Sequence, residues 1–157
     1  MVQSSSAGGQ VDEVARLRAS APPGWSVVDE PKTAEVVVLG PTGSHGVQAR
    51  VEVRSETQPA EPIEAISRAT VKQLRSERPD TLVAGCDVWP HPLWGPGRLL
   101  QTARLDDGLA MAHDRYVFVD GQRVISITLD CALAELLRVE DEVAAIVASV
   151  QPMAVAC

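Results

Sequence analysis

Nucleophilic catalysis needs an activated side chain with a base in hydrogen-bond reach, and the pair in this 157-residue chain with the chemistry to supply both is Cys86 with His113. Cys86 follows Ala84-Gly85 in an apolar run, belongs to no nucleophile signature and reads as a buried, inert thiol. His45, His91 and His113 lie far apart, and no two of them have the spacing of a helical metal-binding pair. Carboxylates gather at Asp106-Asp107, which reads as a turn, and at Glu140-Asp141-Glu142, which reads as a helix start; neither has the alternating ligands of a calcium loop. The Gly-rich stretch from Gly40 to Gly46 runs into a strand, with no lysine and no helix after it, so it reads as a hairpin connection and not as a phosphate cradle. The expectation is a protein with no catalytic, metal or cofactor residues.

Contact chemistry is better represented. Trp89-Pro90-His91-Pro92-Leu93-Trp94-Gly95-Pro96-Gly97 holds three prolines and two tryptophans in nine residues. Such a segment is stiff, and its indoles either cap an end of the core or form a partly exposed apolar patch. Trp89, His91, Leu93 and Trp94 are therefore candidate partner-contact residues. His113 and Arg115 alternate with Ala112, Asp114 and Tyr116, and Gln101 lies on the neighbouring strand, so these three polar residues are candidates for a second contact surface on a wet sheet face.

The element that positions most of these residues is the stretch Gly97 to Cys131. Asp106-Asp107-Gly108 and Asp120-Gly121 divide it into three runs of β-forming residues, which reads as a three-stranded antiparallel meander. Ile125, Ile127, Leu129 and Cys131 share one face, and Val124, Ser126, Thr128 and Asp130 the other. Upstream, Glu35–Leu39 and Val47–Arg54 read as a hairpin, Trp25–Val28 as the first strand, and Thr81–Val88 as another. Ile63, Ile66, Thr70, Val71 and Leu74 follow helical spacing over Pro62–Ser76, with Glu61 and Glu64 at the positive end of its dipole and Arg75 and Arg78 near the other. Leu136, Val139, Val143, Ile146, Val147 and Val150 predict a second helix over about Glu135–Ser149. The fold class expected is α+β: an antiparallel sheet of six or seven strands with helices packed on it.

Composition bounds what such a domain can do. The chain is long enough for one domain with a substantial core. With one Phe, one Tyr and three Trp in a 45% hydrophobic sequence, that core is aliphatic. A formal charge of −7 and no basic run argue against a nucleic-acid or anionic-membrane partner. Lys32 and Lys72 are the two lysines among fourteen basic residues, and that arginine bias suggests a GC-rich bacterial genome. Cys86, Cys131 and Cys157 are odd in number and without a C-x-x-C pair, as expected of a reducing compartment. The N-terminus MVQSSSAGGQVDE has neither a basic n-region nor an apolar h-region, so the expectation is a cytoplasmic protein with no membrane insertion. Residues 1–20 are read as a flexible extension, with Val11, Val14, Ala15 and Leu17 spaced for a short helix, residues 21–152 as one domain, and residues 153–157 as a tail.

Pro22-Pro23-Gly24-Trp25-Ser26-Val27, the helix through Ala65–Leu74, the strand start Gly97–Leu100, the Val119-Asp120-Gly121 turn before Val124–Leu129 and the closing Ile146–Val150 carry a resemblance. In that order they resemble a superfamily that includes the photosystem subunit PsbP, the Mog-type Ran-binding import factors, the DcrB-like proteins and the actinobacterial LpqN-type lipoproteins, over about residues 21–151. The resemblance implies an antiparallel sheet sandwiched by helices, a PsbP-like α/β/α sandwich. It also implies a non-enzymatic protein that binds other proteins, in the manner of adaptors or of the related Eag-type chaperones that shield apolar segments of secreted effectors. It supplies no family-wide catalytic residue, and the lipobox cysteine of the lipoprotein branch is missing here. The function expected is thus a protein-binding module whose partner is itself, as a homodimer, or a secreted protein; the alternative is a carrier of a small apolar ligand, and after it a thiol-dependent enzyme.

Overall fold

The computed structural model describes residues 15–29, 32 and 34–154. In chain order the elements are β1 (Leu17–Arg18), β2 (Ser26–Val27), β3 (Val36–Thr42), β4 (Gln48–Thr57), α1 (Ile63–Glu77), β5 (Leu82–His91), β6 (Gly95–Asp106), β7 (Leu109–Asp120), β8 (Arg123–Ala132), a single 3-10 turn (Leu133–Glu135), α2 (Leu136–Ser149) and β9 (Gln151–Pro152). Seven strands form one antiparallel sheet in the order β2-β3-β4-β8-β7-β6-β5. The α+β class, the hairpins and both helices stand as the sequence predicts.

The turns follow local chemistry. Asp107 and Gly108 both have positive φ, 49° and 81°, the requirement of a type I′ connection between β6 and β7. Gly121 alone has positive φ in the β7–β8 turn, as a type II′ turn asks. β7 then pairs with β8 from Met111↔Ala132 to Asp120↔Arg123 without a bulge.

That register sorts the side chains. Ala112, Tyr116, Phe118, Ile125, Ile127, Leu129, Val51 and Val53 turn to one face, where Val139, Val143, Ile146 and Val147 of α2 cover them. This is the main core, and burying each such aliphatic side chain stabilises by about 1.5–3 kcal/mol. The opposite face carries a smaller cluster, Leu100, Val117 and Val124 under Ile66, with Ile63 and Val71 of α1 at its margin. The cluster is small because β8 and β4 present Ser126, Thr128, Glu52 and Arg54 on that side. α1 accordingly sits on the β6–β7 side and leaves the outer faces of β8 and β4 open.

Four expectations change. Leu17 belongs to a strand, not a helix: β1 pairs with β9, and Leu17 enters the main core, so the folded unit takes in residues ahead of position 21. Val11 and Val14 lie outside the described residues. The Trp89–Gly97 segment is the end of a hairpin, with β5 continuing through Trp89 and Pro90 to His91 and only Pro92-Leu93-Trp94 turning. Cys86 is exposed, because β5 is the last strand of the sheet; Cys131 is buried, as a core thiol should be. Glu140-Asp141-Glu142 lie on the second turn of α2, after Leu136–Val139.

Candidate functional site: a groove on the α1 face

His91, 4% exposed, offers no surface to a partner. Its Nε2–H donates to the Val147 carbonyl at 3.0 Å, and its Nδ1 accepts from the Leu93 and Trp94 amides at 3.1 and 3.4 Å. Burial holds its pKa below the ordinary histidine value, so the ring is neutral. Trp94 stacks on it, and both rings lean on Phe118. Trp89 packs edge-on to Tyr116. The aromatic segment therefore caps the core and ties the β5–β6 hairpin to α2, leaving Leu93 as the exposed apolar residue at the tip.

The three polar candidates separate. Gln101 pairs with Asp114 and so faces α2, whereas His113 and Arg115, one residue out of phase, face α1. The expectation of one surface for all three is corrected by this register. His113 stands between two carboxylates: Nδ1 meets Asp130, and Nε2 lies 3.4 Å from Asp106. Asp106 also receives Arg78 at 3.1 Å and Arg104 at 3.3 Å. Burial pushes the Asp106 carboxyl up, but the hydrogen bond from Arg78 and the charge of Arg104 outweigh it and hold the pKa below its usual value. With both ring nitrogens engaged by carboxylates, His113 has none to offer Cys86 as a base.

Arg115 sits at the floor of a groove of about 680 Å³ between α1 and the open faces of β4 and β8. β4 supplies Glu52, Arg54 and Glu56, β8 supplies Ser126 and Thr128, and α1 closes the far wall with Ile66, Ala69, Thr70 and Gln73. Glu52 is held at 2.7 Å by Arg50 and at 2.9 Å by Arg54. Half-buried Arg115 differs: burial lowers its pKa, Glu77, Asp130 and Glu56 counter only from a distance, and no described residue hydrogen-bonds its guanidinium. It stays charged at neutral pH. A planar cation with unused donors at the base of a polar crevice can take a carboxylate bidentately or bridge two peptide carbonyls.

The sequence reading named Arg115 but missed the rest of the groove. Arg50, Glu52 and Arg54 were legible as a wet strand face, and so were Ser126 and Thr128. That β4 lies beside β8 was not, since the pairing spans residues 50 to 130. Among the described residues no three His, Cys, Asp or Glu side chains are placed to hold a metal ion, and no helix is long and apolar enough to cross a membrane.

No protein-family model matches the chain, and no curated protein does. Solved structures do. LpqN of Mycobacterium tuberculosis, involved in cell envelope biogenesis, superposes with a TM-score of 0.69 at 12% identity, over 92% of this chain and 88% of that one. A Pseudomonas aeruginosa protein of unknown function gives 0.60 at 12% identity, over 76% and 83%. The cyanobacterial PsbP of Synechocystis sp. gives 0.57 at 14% identity, over 94% and 98%. The fold is thus of the PsbP type.

Proposed function

We propose that the chain is a non-enzymatic protein-binding module that receives an extended segment of a partner in the groove between α1 and strands β4 and β8. The carrying observation is Arg115, a half-buried cation at the groove floor that no described residue hydrogen-bonds. An acidic side chain or a run of peptide carbonyls would complete it, while Thr70, Gln73, Ser126 and Thr128 offer further hydrogen bonds to a backbone. The reading also draws support from the histidines: both nitrogens of His91 and of His113 are engaged, which leaves neither free to act as a base. The exposed thiol of Cys86 fits a reducing, cytoplasmic setting. Leu93 at the hairpin tip is a second, minor point of contact.

The test is capture from an extract of the source cell, wild type against Arg115→Gln. The variant keeps a polar, hydrogen-bonding side chain, shortens it and removes the charge. The expected result is a stoichiometric protein retained by the wild type and at least about tenfold less of it by the variant, the loss of a buried charged hydrogen bond. Equal retention, or a wild type that light scattering shows to be monomeric and that retains nothing, contradicts the proposal. Self-association abolished by the same substitution identifies a second copy as the partner.

A further inference from the structure

On the opposite face of the sheet, between α2 and strands β5–β7, a cavity of about 290 Å³ has no role in the groove. Trp89 and Tyr116 form two adjoining walls, their rings 5.3 Å apart between centroids and inclined at 76°. Asp114, 4% exposed, lies at its base, and Glu140 and Asp141 of α2 stand at its rim. No lysine, arginine or histidine lines it.

Two polar groups on buried residues line this cavity with few partners. No described side chain hydrogen-bonds the Asp114 carboxyl, and the Thr102 backbone offsets its burial only in part. The Tyr116 hydroxyl, on a residue also 4% exposed, has no hydrogen-bond partner among the described residues. Holding a carboxyl against apolar surface with one backbone donor is costly, and both it and the phenol keep hydrogen-bonding capacity for a ligand. The arrangement supplies negative charge and two π faces, and it lacks a cation. A metal ion would need several oxygen ligands together, and the described residues offer no such group here. Aromatic walls instead favour a weakly hydrated organic cation, whose alkyl groups pack on the rings while its charge meets the carboxylate. The volume suits one small head group.

We infer that the cavity bounded by Trp89, Tyr116, Asp114 and Glu140 is a binding site for an alkylated ammonium group. It is independent of the α1 groove, since Arg115 and Asp114 point to opposite faces of β7.

Isothermal titration of the intact chain with choline chloride, against matched sodium chloride, tests this. Saturable binding is expected at about pH 8, weakened roughly tenfold or more by Asp114→Asn and, in the wild type, by lowering the pH to about 4.5, where the carboxyl is protonated. The variant is expected to fold, because it removes a buried charge while its amide oxygen can still accept from the Thr102 backbone. A peptide carrying trimethylated lysine presents the same head, and the tighter of the two ligands shows whether the group arrives free or on a protein. Absence of saturable heat with both, or equal affinity in wild type and Asp114→Asn, overturns the inference. Arg115→Gln should leave choline binding unchanged, and loss there would place the ligand in the groove instead.

Discussion

Asp114 is the residue most at odds with its surroundings. It occupies the apolar phase of β7, between Ala112 and Tyr116, and burial pushes its pKa from 3.8 to about 6. Because the folded value lies above the unfolded one, the protonated carboxyl favours folding: the contribution is full below about pH 4 and lost as pH rises through about 6. The two values differ by about 2 units, on the order of 3 kcal/mol at neutral pH. Asp114→Asn, which is neutral at every pH, should therefore raise the urea-unfolding stability of the ligand-free chain by about 2–3 kcal/mol at pH 8, with the gain vanishing below about pH 4. A pH-independent difference would show that the carboxyl is not desolvated. The lone acid in an apolar phase was legible in the sequence, since Ala112, Tyr116 and Phe118 flank it at period two. His91 was not: its partner, the Val147 carbonyl, is 56 residues away, and nothing local marks the histidine as core.

The two helices illustrate how far periodicity reaches at the scale of the element. α2 was legible in full because its stripe Val139, Val143, Ile146 and Val147 lies wholly in the core. α1 has the same spacing, yet it buries only Ile66 and Ser67. What it packs on decides this, and the polar outer faces of β4 and β8 deny it a wide seat. Ile146→Ala should cost about 2–5 kcal/mol in urea unfolding, whereas Leu137→Ala, at a position 80% exposed, should stay within about 0.5 kcal/mol. The hairpin of β5 and β6 depends on Gly97, where an added Cβ would come within 2.3 Å of both Phe118 and the Val117 carbonyl. Gly97→Ala should destabilise by about 1–3 kcal/mol and release the aromatic cap, read as increased tryptophan exposure. Sequence alone marked that segment as unusual and ended the strand before it at Val88, because its prolines suggest broken structure. At the end of the sheet's last strand, Pro90 needs no outer ladder partner.

At the scale of the molecule, the groove and the aromatic cavity lie on opposite sides of the seven-stranded sheet. The sequence carried the α+β class and most strand positions, since each is written in local alternation and turn chemistry. Strand neighbours were not written there: β4 joins β8 across the whole of α1 and three strands, and β1 closes against β9 from the far end of the chain. The groove arises from one such distant pairing, whereas the aromatic cavity lies between α2 and the consecutive strands of the meander. The two sites therefore make separable predictions, partner capture on the α1 face and an ammonium ligand on the α2 face.

The central claim is that a partner segment occupies the groove, and plugging the groove tests it most directly. Ala69 is exposed on the α1 wall. Ala69→Cys, in a background where Cys86 and Cys157 are replaced by Ser and Cys131 stays buried, gives a reactive thiol at that wall. Alkylation with a bulky maleimide should abolish partner capture that the unmodified variant retains, while the same treatment of wild-type Cys86 on the edge strand should leave capture intact. Capture undiminished by the plugged groove would contradict the account.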